Sequence, residues 1–253
     1  MFESHTAEFK RCCVTSKFKY RQINEHITLI DNFFYNFHVA RNFITSRDRW
    51  DTNVDDGGVK SGVESRFPFW FISEFLDQYF LDRRLTTDGA AYTCYCNYQY
   101  KDMPPKVDIL SSTSVPFPHI DGIVSEDGCL RYICLVNLNK DPVSTLFYRY
   151  KNNVSCSNQT EFDEFQEYVE EKSKVYFNLK ENGEYVRDDW YETVEEVELH
   201  EEITFKPNQA IIYPANHFHS GKIDSRYTKE NPRVMLAMSF DVLLDDENIS
   251  NSN

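Results

Sequence analysis

Hydrophobic residues recur at helical spacing in two stretches within the first third of the chain. The first stretch, TLIDNFFYNFHVARNFITS at 28–46, has Asp31 in a position to cap a helix. The apolar positions that recur there every three or four residues are Phe33, Phe37, Ala40 and Ile44. The second stretch, FPFWFISEFLDQYFLDRR at 67–84, has Pro68 near its first turn and a broad apolar face. The pattern therefore predicts two helices before residue 88.

The pattern changes after residue 88 to short runs rich in β-branched and aromatic residues, separated by Gly, Pro, Asn and Asp. Such runs are typical of strands joined by turns. The predicted strands lie within 90–100, 106–113, 131–139, 144–151, 203–221 and 233–244. We therefore predict a mainly β fold with flanking helices, in which about eight short strands form a double-sheet jelly roll supported by the N-terminal helices.

An acidic segment at about 152–202 separates the two groups of strands. Between residues 151 and 202 there are 5 basic and 16 acidic residues, which account for most of the net charge of −14. Thr160 can cap a short helix at 160–174, and Asn182-Gly183 predicts a hairpin turn within 175–199. We interpret the segment as an insertion in a single domain, 1–253, whose core strands lie at about 88–150 and 203–244.

Composition and charge narrow the functional classes. The acidic balance would repel phosphate backbones, so nucleic-acid binding is disfavoured. No apolar run approaches the roughly 20 residues that a membrane span requires, and the first residues lack the apolar core of a signal peptide. The 7 cysteines contain no CxxC pair, which favours the reduced thiols of a cytoplasmic protein over a disulfide framework or a zinc site.

The stretch SVPFPHIDGIVSEDG at 114–128 contains the candidate chemistry. On a strand, residues two apart face the same side, so His119 and Asp121 would project together. A facial iron site needs two imidazoles and one carboxylate, and IIYPANHFHSG at 211–221 offers His217 and His219 as the second imidazole. Taken alone, the first stretch is more readily a turn in which Asp121 bonds its own backbone, and HFH an exposed loop.

Four motifs occur in an order that resembles the Fe(II)- and 2-oxoglutarate-dependent dioxygenases, particularly the prolyl-hydroxylase-like branch. They are PHID, VNLNKD, YPANHFHSG and NPRVMLAMSFDV, and together they lie within about residues 109–242. The resemblance implies a double-stranded β-helix core and a hydroxylase that uses Fe(II) and 2-oxoglutarate. The substrate that it implies is a peptide, an amino acid or another small molecule.

The resemblance also implies roles for individual residues. His119 and Asp121 match the first two iron ligands, and His219 matches the distal ligand better than His217 does. Arg233 matches the basic residue that pairs with the distal carboxylate of 2-oxoglutarate. Arginine suits this task because its planar fork holds a carboxylate through two parallel hydrogen bonds.

The sequence departs from this family at the position of a tyrosine whose hydroxyl supports the cofactor carboxylate, where this chain has Asn137. The amide of Asn137 or the hydroxyl of Tyr148 is the predicted substitute, and Ser239 lies on the same strand face as Arg233. Alternatively, the oxoglutarate site has been lost and the chain is a cupin-like binding or structural module, or carries a different metal-dependent activity. An Arg233 that points into the core beside His219 would favour the oxoglutarate enzyme. The sequence leaves the substrate and the oligomeric state open.

Overall fold

The computed structural model describes residues 19–45, 60–61, 84–85, 91–97, 118–125, 128–181, 195–222, 226 and 233–243. The strands are β1 (Lys19–Gln22), β2 (Thr28–Asp31), β3 (Lys60–Ser61), β4 (Arg84–Leu85), β5 (Ala91–Asn97), β6 (Cys129–Asn137), β7 (Val143–Tyr150), β8 (Val197–Phe205), β9 (Ala210–Pro214), β10 (His219–Gly221) and β11 (Arg233–Leu243). Two helices lie among the described residues, α1 (Phe37–Thr45) and α2 (Gln159–Glu181).

The strands form two antiparallel sheets. The large sheet has the order β1-β2-β9-β6-β11-β5-β3, and β4 pairs with β11 outside that path. The small sheet has the order β10-β7-β8. The chain is therefore mainly β, as the sequence predicted, and its predicted strands at 90–100, 131–139, 144–151 and 233–244 correspond to β5, β6, β7 and β11. The strand predicted at 106–113 lies outside the described residues.

A core cluster of described residues joins the two sheets, because alternate residues of strands in both sheets contribute to it. The large sheet contributes Leu29, Ile133, Leu135, Ile211, Tyr213 and Met235, and the small sheet contributes Val143, Phe147, Ile203 and Phe205. Every residue of strand β9 is buried, and β2 and β6 pair with its two edges. We call the faces that carry this cluster the inner faces of the two sheets.

The first predicted helix begins later than the sequence pattern indicated. Residues 28–31 form β2, which pairs with β9, and α1 follows only from Phe37. The start of α1 is capped by Asn36, whose Oδ1 accepts a hydrogen bond from the N–H of Val39 at 3.3 Å. Asp31 instead accepts a hydrogen bond from Gln209. The second predicted helix, 67–84, lies outside the described residues except for its last position, which belongs to β4.

The acidic segment contains a helix that is longer than the sequence predicted. Helix α2 continues through Glu181, so residues 175–181, predicted as the first strand of a hairpin, are helical. Asn158 rather than Thr160 caps the helix, because Asn158 Oδ1 accepts a hydrogen bond from the N–H of Glu161 at 3.0 Å. The predicted hairpin turn itself lies outside the described residues.

Helix α2 packs through its apolar face on the outer face of the small sheet. The ring of Phe165 lies 4.5 Å from that of Phe218 and 5.1 Å from that of Tyr150. Phe218 immediately precedes β10, so α2 supports the strand on which the candidate ligand His219 lies. Neither described helix has the length and apolar character needed to cross a membrane.

Candidate metal centre and basic pocket

Three candidate ligands converge where a short extended segment joins the small sheet. His119 forms an isolated antiparallel bridge with His219, and each backbone N–H donates to the other's carbonyl at 2.9 Å. The N–H of Asp121 donates to the carbonyl of Ala215 at 2.8 Å, which fixes the chain beyond the bridge against the end of β9. Because directly paired residues and residues two apart share a face, His119, Asp121 and His219 project together.

The possible ligand atoms of these three side chains all lie within 4.8 Å of one another. Nε2 of His219 is 3.3 Å from Oδ2 of Asp121, and Nε2 of His119 is 3.8 Å from Oδ1. The side chain of His219 is 4 % exposed, whereas those of His119 and Asp121 are 47 % and 35 % exposed. The group therefore has one buried and two accessible members. It can hold a divalent cation through three protein ligands and leave coordination positions open on the accessible side.

The ring of His219 is oriented before any metal binds. Its Nδ1 lies 2.9 Å from the carbonyl oxygen of His217, to which it can donate, and this leaves Nε2 facing Asp121. The rings of Tyr213 and Phe147 flank it, with centroid distances of 4.8 and 6.3 Å. A second hydrogen bond of this kind is what fixes the tautomer and direction of metal-binding histidines.

The electrostatics of the group favour an ionised carboxylate. Desolvation raises the pKa of Asp121, but the charge of His219 and a hydrogen bond with it, followed by the charges of His119 and Arg131, bring the pKa down to about 2. Asp121 is therefore ionised at neutral pH, which is the form that binds a metal ion.

His217, the alternative distal ligand, is placed differently. Its ring packs edge-on against the ring of His26 with a centroid distance of 4.7 Å, and it is not a member of the three-residue group. Burial, followed by the charges of His26, His219 and His200, lowers the pKa of His217 to about 3. The contribution of His217 to the group is the backbone carbonyl that orients His219.

Arg233, the first residue of β11, is buried with almost no compensation for its charge. Arg233 is 1 % exposed, and its Nη2 donates a long hydrogen bond of 3.3 Å to the carbonyl of Ser144. Its Nε has no hydrogen-bond partner, and no carboxylate in the described part of the chain pairs with the guanidinium. Burying a cation without a counter-charge is costly, so this location is suited to an anionic ligand.

Two residues that the sequence did not single out complete what we call the basic pocket, formed by Arg233, Gly221 and Thr145. A Cβ built on Gly221 would lie 2.9 Å from Nη1 of Arg233, so only glycine leaves room for the guanidinium there. Thr145 pairs directly with Gly221 across β7 and β10, which puts its side chain on the same face. Thr145 is buried, and its Oγ1 has no partner among the described residues.

The basic pocket and the metal-ligand group share strand β10. Gly221 follows His219 by two residues, so the two positions face the same side and are separated by one strand repeat of about 7 Å. The structure therefore brings Arg233 beside the strand face of His219, the arrangement that the sequence analysis named as favouring an oxoglutarate enzyme.

Asn137, predicted to donate its amide to the cofactor, has its hydrogen-bonding capacity committed elsewhere. Its Nδ2 donates to the carbonyls of Asp141 and Phe205 at 3.0 and 3.1 Å. Its Oδ1 accepts from the backbone N–H and the side-chain amide of Asn139, both at 2.8 Å. Since an amide has two donor hydrogens and two acceptor lone pairs, Asn137 is saturated by closing the β6–β7 turn. The predicted cofactor contact does not fit this arrangement.

Tyr148 and Ser239 also lie away from Arg233. The Tyr148 hydroxyl forms a 2.7 Å hydrogen bond with Oγ of Ser220 on the outer face of the small sheet, within the cluster that α2 covers. Ser239 shares a strand face with Arg233, but six residues of β11 separate them by about 20 Å. The structure therefore brings Thr145, rather than these residues, next to Arg233.

Comparison with protein families gives a clear membership but no activity. A family model described as "Family of unknown function (DUF6445)" matches residues 14–234. The chain belongs to this family. The matched residues of the DUF6445 chain include His119, Asp121, His219 and Arg233. No curated protein matches it.

Solved structures similar to this DUF6445 chain include non-heme α-ketoglutarate-dependent enzymes. The carbocyclase SnoK from nogalamycin biosynthesis shares 8 % identity, with 98 % of this chain and 90 % of that chain covered and a TM-score of 0.41. The epimerase SnoN from the same biosynthesis shares 14 %, with 94 % and 82 % covered and a TM-score of 0.41. An N-substituted L-amino acid dioxygenase from Burkholderia ambifaria AMMD shares 9 %, with 88 % and 84 % covered and a TM-score of 0.37. Similarity at this level carries neither the fold nor the activity of these enzymes over to the chain.

Proposed function

We propose that the protein is an Fe(II)- and 2-oxoglutarate-dependent oxygenase, a hydroxylase whose two sheets form a jelly-roll core of the prolyl-hydroxylase-like type. The observation that supports this most is the coexistence of two features on one strand face. A His–Asp–His group lies at one end of β10, and one strand repeat away lies a buried arginine that has no carboxylate partner among the described residues. Each feature has ordinary explanations alone, but together they match one metal and one dicarboxylate.

The side chains at the metal centre fit Fe(II). Two imidazoles and one carboxylate are the donor set of facial iron sites with open positions, and softer metals that prefer thiolates have no sulfur ligand in the group. His119, Asp121 and His219 would hold the ion. Fe(II) bound together with 2-oxoglutarate supplies the activation of dioxygen needed to oxidise a substrate C–H bond.

The side chains of the basic pocket fit the distal carboxylate of 2-oxoglutarate. Arg233 offers its buried guanidinium, and Thr145 offers a hydroxyl whose Oγ1 is unpartnered among the described residues. Both unsatisfied groups would gain hydrogen bonds from the same anion. Thr145 would thereby supply the polar contact that was predicted from the amide of Asn137 or the hydroxyl of Tyr148.

The remaining inner-face residues exclude water from this end of the core. Tyr213 and Phe147 flank the buried ligand His219, and both belong to the cluster between the sheets. The accessible side of the group, at His119 and Asp121, is then the side from which substrate approaches. We propose a small molecule, an amino acid or a peptide as that substrate.

Anaerobic titration of the Fe(II)-loaded protein with 2-oxoglutarate tests the proposal. A 2-oxo acid that chelates Fe(II) gives a weak visible absorption band, which we expect in the wild type and in His217→Ala but not in His219→Ala. His217→Ala is the matched control, because it removes a neighbouring buried imidazole and keeps the carbonyl that orients His219. Iron bound stoichiometrically without the band would instead favour a metal-binding module that lacks an oxoglutarate site. Iron retained in His219→Ala would contradict the ligand assignment.

A further inference from the structure

Arg131 lies beside the metal-ligand group on the inner face of the large sheet. It is two residues from Ile133, which belongs to the core cluster, and the N–H of Ala215 donates to its carbonyl at 2.8 Å. The same Ala215 accepts the hydrogen bond from the N–H of Asp121. A Cβ built on Gly122 would lie 3.8 Å from Cβ of Arg131. The backbones of Arg131 and of the ligand Asp121 are therefore both hydrogen-bonded to Ala215.

The guanidinium of Arg131 is held in one orientation and used on one side only. Its Nε donates to Oδ1 of Asp241 at 2.9 Å, and its Nη2 donates to Oδ2 at 3.3 Å. These two bonds occupy the Nε–Nη2 side of the planar fork. The Nη1–Nη2 end has no partner among the described residues, and the side chain is 44 % exposed. An arginine can bind a second carboxylate by donating hydrogen bonds from that end, because its five N–H donors are in a fixed plane.

We propose that Arg131 binds a carboxylate of the substrate, so that the substrates of the enzyme are small carboxylic acids. This inference rests on the proposed function, since it gives Arg131 the accessible side of the same metal centre. Asp241 is then a positioning residue that holds the plane of the guanidinium and does not touch substrate. In a protein with a net charge of −14, a half-exposed arginine whose fork is directed by a carboxylate is a local attraction for an anion.

A ligand-binding experiment tests this without requiring turnover. The protein is loaded with Zn²⁺ and saturating 2-oxoglutarate, which keeps the basic pocket of Arg233 occupied. Proteinogenic L-amino acids, their N-acetyl derivatives and simple hydroxy acids are each compared with their own primary amides by saturation-transfer NMR. We expect acids to bind and their amides not to bind. Arg131→Met should weaken the binding of the acids roughly 100-fold, since two hydrogen bonds to a charged group are lost.

Arg149→Met is the matched control. Arg149 is also a half-exposed arginine that pairs with a carboxylate on a neighbouring strand, with 3.6 Å between its Nη1 and Oε1 of Glu198. Its replacement should leave the binding of the acids unchanged. Asp241→Asn should weaken the binding of the acids by less than Arg131→Met does, because it loosens the orientation of the guanidinium but keeps its charge.

Three results would overturn the proposal: no acid binds in preference to its amide, Arg131→Met binds the acids as the wild type does, or the loss occurs in Arg149→Met instead. Calorimetric titration of the same samples with Zn²⁺ and 2-oxoglutarate distinguishes failure of the Arg131 assignment from failure of the proposed function. If both ligands bind and the acids do not, only the assignment of Arg131 is wrong. If 2-oxoglutarate itself does not bind, the proposed function fails first and the assignment of Arg131 fails with it.

Discussion

Replacing the buried Arg233 with Met should lower ligand affinity without lowering protein stability. In the ligand-free protein the guanidinium has one long hydrogen bond, to the carbonyl of Ser144, and no carboxylate partner among the described residues. An apolar side chain of similar length removes the cost of burying that charge. We therefore expect Arg233→Met without ligand to unfold at the same or a higher urea concentration than the wild type.

The affinity for 2-oxoglutarate should fall steeply in the same variant. Two hydrogen bonds between the guanidinium and a carboxylate contribute about 1.5–3 kcal/mol each, or about 3–6 kcal/mol together. At about 1.4 kcal/mol per tenfold change, the dissociation constant should rise roughly 10²- to 10⁴-fold. Calorimetric titration of the Zn²⁺-loaded protein measures this change without the complication of turnover.

A second ligand makes the test specific for the distal carboxylate. 2-Oxovalerate has the same chain length as 2-oxoglutarate but lacks that carboxylate, so the wild type should bind it weakly and Arg233→Met should bind it equally weakly. The two proteins and two ligands form a thermodynamic cycle whose coupling energy should equal most of the loss. The reasoning is refuted if the substitution weakens both ligands equally. It is also refuted if the ligand-free variant loses more than about 3 kcal/mol of stability, the size expected when a buried ion pair is broken.

Three further substitutions distinguish the residues of the basic pocket from Tyr148, which lies outside it. Thr145→Val removes a buried hydroxyl that has no partner in the described structure, so 2-oxoglutarate affinity measured by calorimetry should fall about tenfold with no loss of thermal stability; a loss of stability with unchanged affinity would contradict this. Gly221→Ala places a Cβ 2.9 Å from Nη1 of Arg233, so it should weaken 2-oxoglutarate binding at least about tenfold while metal affinity stays unchanged; equal loss of both would indicate a distorted β10 instead. Tyr148→Phe removes the 2.7 Å hydrogen bond to Ser220, so urea unfolding should show a loss of about 1 kcal/mol with 2-oxoglutarate affinity intact; reduced affinity would restore Tyr148 as a cofactor residue.

The parts of the site that the sequence predicts are those encoded by a short spacing. His119 and Asp121 come together because a strand alternates its side chains, and that alternation is visible as two positions two apart. The inward direction of Arg233 follows from the same alternation along β11, whose next inner-face residue is Met235. The mainly β fold likewise follows from the short apolar runs that became β5, β6, β7 and β11.

The parts that the sequence does not predict depend on which distant segments become neighbours. Thr145 lies in a run of buried residues, and only its pairing with Gly221 puts it on the strand face where the guanidinium of Arg233 lies. The sequence suggests Asn137 as a cofactor residue, but in the fold its amide donates a hydrogen bond to the carbonyl of Phe205, which is 68 positions away. The Asn-Gly pair at 182–183 favours a hairpin, so the residues before it are predicted as a strand. Helix α2 nevertheless continues through Glu181, because a local turn signal does not determine the length of the helix before it.

The contact between α2 and the segment before β10 has a consequence for the dynamics of the protein. Phe165 on α2 and Phe218 pack ring against ring at 4.5 Å, and Phe218 is the immediate neighbour of the buried ligand His219. Any local opening that lifts α2 from the sheet therefore loosens the backbone on which His219 is mounted. If the opening weakens metal binding by a given free energy, bound metal disfavours the opening by that same free energy. The amide hydrogens of α2 should therefore exchange with solvent more slowly once metal is bound. Amide exchange in α2, which contributes no residue to the metal-ligand group, should therefore report whether metal is bound.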